Sequence, residues 1–230
     1  MNSGFIINEK NELQEVEQQN FPAYSKGVKV FAKIISYIFH PVFVPVYIVL
    51  FMVYVHPFMF LGLSTWDKTR VVMMAVLMFA FFPIITVGLL KALDFIQSVQ
   101  LKAQKDRIIP LVACGIWYFW IWYVWRNQQG YPAAAVQLTL AIWISVSLAL
   151  MANIMMKISL HAISVGVMLA FIFLLAFSEP INYGIYIAVA LLITGLVCTV
   201  RFIDSDHKAP EVYGGLLIGI VSMLVAWLLG

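Results

Sequence analysis

Seven long apolar runs follow one another through this chain, at about 33–55, 71–90, 108–125, 133–156, 162–177, 183–200 and 212–229. Each is close to the roughly 20 residues that a helix needs to cross the hydrocarbon core of a bilayer. A water-soluble domain is about half apolar and a quarter charged, whereas this chain is 63% hydrophobic and 11% charged, with a mean hydropathy of +0.95. The runs lack the two-residue alternation of a membrane barrel, and lipid forces each spanning segment to satisfy its own backbone, so the spans are expected to be helices. The predicted fold class is therefore an all-α, polytopic membrane helix bundle of six to seven transmembrane helices.

Residues 1–25 read as a polar N-terminal tail carrying Glu9, Glu12, Glu15 and Glu17, and residues 26–230 as one transmembrane domain. The tail lacks a basic start followed by an apolar core, so it does not read as a cleavable signal peptide. His40-Pro41 and Pro45 remove backbone donors inside the first run, which predicts a bent or broken first span. Pro83 marks a second kink. The aromatics from Trp117 to Trp125 suit a membrane interface. Cys114 and Cys198 lie far apart in apolar runs, with neither a disulfide framework nor metal-ligand spacing. Neither metal nor cofactor is expected. A net charge of +3 spread over so few sites argues against a nucleic-acid partner.

Position of charge says more than its sum. Alternating spans put the loops after the second, fourth and sixth on one side, and those loops carry Lys102, Lys105 and Arg107, then Lys157, Ser159 and His161, then Arg201, His207, Lys208 and Glu211. Ionisable groups at the ends of membrane helices are costly unless paired or functional. Cations beside two histidines and a carboxylate suit a phosphorylated substrate: cations offset phosphoryl charge, one imidazole attacks phosphorus, and the other protonates the leaving oxygen. Pro210 is expected in the first turn of the last span, which brings Glu211 within reach of the His207 ring to set its tautomer. His40 and His56, each before a proline, read as structural, and Lys157 as a membrane anchor.

The order of the three clusters resembles the type 2 phosphatidic acid phosphatase superfamily, the lipid phosphatases that share their site with the vanadium haloperoxidases. Arg201, His207, Glu211, Val212 and Gly215 follow the spacing of that family's third motif, with Glu where Asp is usual and Val200 where Ser is usual. Ile158-Ser159-Leu160-His161 keeps the Ser and His of its Pro-Ser-Gly-His, and Lys102, Arg107 and Pro110 trace a loosened first motif. The resemblance spans roughly Lys102 to Gly215. It implies His207 as the nucleophile forming a phosphohistidine, Glu211 as its orienting partner, His161 as the general acid, and Lys102, Arg107, Ser159 and Arg201 as the phosphate cradle. The implied activity is metal-independent hydrolysis of a lipid phosphate or diphosphate monoester, with a phosphorylated lipid as partner.

Two other readings remain open at this level: a non-catalytic membrane protein that binds anionic lipid headgroups, motivated by Leu160 and Glu211, and a transporter built on the broken first span. The expected location is multi-pass in a plasma membrane of the bacterial inner type. Every Lys and Arg except Lys68, Arg70 and Arg126 falls on the side of the tail and the clusters, a bias that points this face to the cytoplasm, although many members of the resembled family face outward.

Overall fold

The computed structural model describes residues 4–7, 13–16, 24–99, 101, 104–204 and 207–230. Within the tail, β1 (Gly4–Ile7) and β2 (Leu13–Val16) pair as an antiparallel ribbon with Gly4 opposite Val16. Every other regular element described is helical. Among the described residues six helices are long and apolar enough to cross a membrane: Thr65–Ala92, Lys105–Asn127, Ala133–Met155, Leu160–Ser178, Gly184–Asp204 and Ala209–Leu229. The chain is a multi-pass, all-α membrane bundle. Large apolar side chains on these helices, such as Ile185, Leu192 and Phe177, point outward, which is the surface a bilayer covers.

The first run is where the structure departs from a single kinked span. It divides into α1 (Lys26–Ile38) and α2 (Val44–Leu50), the latter extended by a π turn, Phe51–Val55. Pro41 cannot continue a helix, and residues 41–43 form a turn instead. Helix α1 is amphipathic. Lys26, Lys29 and Lys33 fall on one arc, Phe31, Ile34 and Ile38 are exposed on another, and only Ala32 and Ser36 are buried.

The following short segment still traverses the bundle. At its start the His40 ring lies 5.3 Å from that of His161, at the N-terminus of a long helix, and at its end His56 Nε2 lies 2.7 Å from Glu179, just past that helix's C-terminus. The helix in question, Leu160–Ser178, is about 28 Å long at 1.5 Å per residue. Among the described residues, this shorter segment with its looser ends thus runs the length of the bundle beside the six long helices. His56 is a pin: its Nδ1 accepts from the Met59 N–H at 3.1 Å, while Nε2 faces Glu179 and the Tyr183 hydroxyl.

The remaining helices are α3 (Thr65–Val76) and α4 (Phe82–Ala92), joined by a π turn at Leu77–Phe81, then α5 (Ile108–Asn127), α6 (Ala133–Met155), α7 (Leu160–Ser178), α8 (Gly184–Asp204) and α9 (Ala209–Leu229). The π turn just ahead of Pro83 absorbs the proline's missing donor within one long span. The aromatics of α5 do more than mark an interface. Trp125 is fully buried and stacks on Tyr131, and Trp122 stacks on Trp143 of α6 at 5.6 Å between centroids, whereas Trp120 and Tyr123 remain exposed.

Helices α7 and α9 make the closest pair. A Cβ on Gly166 would stand 2.5 Å from the Leu216 carbonyl, and one on Gly215 would stand 2.6 Å from the Ser159 carbonyl. Small residues let two backbones approach this closely in a membrane, where lipid provides no hydrophobic drive to hold helices together.

Candidate active site

The glycine seam sets the site, because it seats the start of α7 against the start of α9. The Ser159 N–H donates to the Glu211 carbonyl at 3.0 Å, while the Ser159 hydroxyl caps α7 by accepting from the Ala162 N–H. Pro210 stands in the first turn of α9, as its missing donor requires. Glu211 is then the third residue of that helix, where a glutamate reaches back to the N-cap. Its Oε2 accepts from the Lys208 N–H at 3.2 Å and from the His207 ring at 2.7 Å through Nδ1. A carboxylate can only accept, so the proton is on Nδ1, and Nε2 carries the lone pair. The extra methylene relative to Asp serves this double reach.

Arg107 is buried and binds the first cluster to the second: Nε donates to the Leu101 carbonyl at 2.9 Å and Nη1 to the Ile158 carbonyl at 2.7 Å. Arg201, in the last turn of α8, pairs with Asp204 at 3.8 Å and donates through Nη1 to the Ser36 hydroxyl at 3.3 Å. That pair accounts for one of the acidic residues beside His207. His161 Nε2 donates to the Ser36 carbonyl at 3.1 Å.

Arg107, His161, Arg201 and His207 line one cavity of about 370 Å³. His40, expected from the sequence to be structural, lines it too. The signal was present in the alternation of spans, which puts the start of the first crossing on the same face as the three clusters. Glu211 and Ser159 stand behind the cavity wall, Lys105 is exposed and off the wall, and Lys102 lies outside the described residues. Below the charged end the cavity is apolar, with walls from Pro41, Val42, Pro45 and Ile48, from Pro83, Ile84 and Val87, and from Leu111, Cys114 and Tyr118. Arg107 to Tyr118 is about 16 Å along α5, close to half the thickness of a hydrocarbon core.

Burial is the main influence on the two loop histidines. It lowers the His207 pKa below the ordinary 6.5, opposed by the hydrogen bond to Glu211. His40 is lowered to about 4, first by burial and then by the charge of Arg201. Both imidazoles are neutral at pH 7. Among the described residues, no three His, Cys, Asp or Glu side chains are grouped to hold a metal ion. The fold and cavity define the class as a multi-pass helical membrane protein with a basic, histidine-lined chamber opening onto an apolar shaft. Compared with family models, curated proteins and solved structures, the chain finds no match.

Proposed function

We propose that this protein is an integral membrane phosphatase acting on a phosphate or diphosphate monoester of a lipid, as its resemblance to the type 2 phosphatidic acid phosphatases implies. The observation that carries this reading is the shared cavity: three imidazoles, those of His40, His161 and His207, and two guanidinium groups at its polar end, with an apolar shaft long enough for part of a lipid tail. His207 Nε2 attacks phosphorus and the P–O bond to the lipid breaks. His161 protonates the departing oxygen, then takes a proton from the water that releases phosphate from the phosphohistidine. Glu211 holds His207 in the nucleophilic tautomer. Arg107 and Arg201, with Lys102, offset phosphoryl charge, and Ser159 contributes by presenting the first turn of α7 to the anion. The excess of Lys and Arg on this face argues for a cytoplasmic site in an inner membrane of the bacterial type.

The test is a phosphate-release screen over lipid phosphates and diphosphates in mixed micelles, with chelator present. The wild-type protein releases phosphate and is inhibited by vanadate, and His207→Ala lowers turnover by at least about 10³-fold. Retained wild-type turnover in that variant would rule out the nucleophile. A second reading, binding of anionic lipid without turnover, is favoured by Leu160, which lines the cavity where the resembled motif has Gly; saturable lipid binding with no phosphate release would select it.

A further inference from the structure

Of the cavity's three imidazoles, the two proposed to be catalytic are each held through one ring nitrogen by an oxygen acceptor. His207 Nδ1 is fixed by an oxygen of Glu211, and His161 Nε2 by the backbone oxygen of Ser36. Ser36 belongs to α1, outside all three clusters. Its carbonyl is available for a local reason: the usual partner in a continuing helix would be the His40 N–H, but that donor turns to the Tyr37 carbonyl where α1 ends ahead of Pro41. Carbonyls in the last turn of a helix need outside partners, and the negative end of the helix dipole favours cations. Here the C-terminus of α1 is aimed at His161 and Arg201. Ser36 is buried, and with Ala32 it forms the small-residue face on which α1 rests.

Resting on the phosphatase reading, we propose that Ser36 is a positioning residue of the site: its carbonyl orients His161 so that Nδ1 faces the leaving oxygen, and its hydroxyl orients Arg201. Once the anionic phosphate is bound beside it, His161 takes up a proton on Nδ1; as the P–O bond breaks, the imidazolium gives that proton to the lipid oxygen and returns to the neutral Nε2–H ring, still bonded to the Ser36 carbonyl. In the second half-reaction Nδ1 takes a proton from the attacking water and the imidazolium is restored. A carbonyl on Nε2 stabilises that charged form, as Glu211 stabilises a charged His207.

The experiment compares two esters: a lipid phosphate, whose alkoxide leaves only with a proton, and p-nitrophenyl phosphate, whose phenolate leaves without one. Ser36→Leu pushes α1 off its seat and removes the carbonyl from His161; turnover of the lipid ester falls about tenfold or more, while the aryl ester changes less than about twofold. Ser36→Ala leaves α1 seated and removes only the hydroxyl that positions Arg201 Nη1, the Asp204 pair remaining, so KM rises about threefold for both esters at constant kcat, and Ser36→Thr restores it. The inference is overturned if Ser36→Leu leaves the lipid ester untouched or slows both esters equally, or if Ser36→Ala leaves KM unchanged or raises turnover. Absence of turnover by the wild-type protein on every ester would instead overturn the phosphatase reading, and this inference with it.

Discussion

His40 shows how much one side chain can report. A group whose folded pKa is depressed binds its proton later than it does in the unfolded chain. With 6.5 as the ordinary value and about 4 in the fold, stability is unaffected above pH 6.5 and declines as pH falls toward about 4, because only the unfolded chain takes up the proton. Thermal unfolding in detergent at pH 7.0 and 4.5 measures this. His40 contributes about 2 to 3 kcal/mol of the loss, so the pH 4.5 deficit shrinks by that much in His40→Asn. An unchanged deficit would place the titration elsewhere. His207 moves in the same direction through burial, which keeps part of the slope in the variant.

Among elements, the α7–α9 seam carries the most consequence per residue. A Cβ on Gly219 would meet backbone atoms of α7, including the Val167 nitrogen at 2.8 Å. Backbone cannot move aside as a flexible side chain can, so Gly219→Ala forces the helices apart. Overpacking of this kind costs about 1 to 3 kcal/mol. Gly195 in α8 has open space at the same point, so Gly195→Ala should be neutral or stabilise by up to about 1 kcal/mol through helix propensity. Parallel melting curves decide it; a Gly219→Ala protein as stable as Gly195→Ala would show that the seam yields. Gly215 was legible in the sequence as a motif position. Its work, letting the Ser159 carbonyl approach α9, was not, because contact between residues 56 positions apart leaves no local pattern.

For the whole molecule, the short first crossing puts α1 and the site at one end of the bundle. Exposed Lys26 and Lys208 lie at that end, and exposed Gln128 at the other. In a protein with Cys114 and Cys198 replaced, an impermeant maleimide added to sealed vesicles should label Lys26→Cys and Lys208→Cys from one side and Gln128→Cys from the other. Opposite labelling of the first two would mean that α2 does not cross. The helical class and the position of six long spans were readable from hydropathy, since lipid leaves a backbone no other way to satisfy itself. The three polar clusters were placed on one face by counting passes. What required the folded protein was which side chains share a cavity: His40 joined it, Ser36 bonded two of its lining residues, His161 and Arg201, Ser159 and Glu211 stood behind its wall, and Trp125 became core. Apolar periodicity encodes distance from water along one segment, whereas a site is made of distances between segments. Those are set by side-chain volume, by glycine contacts and by the donors that proline removes.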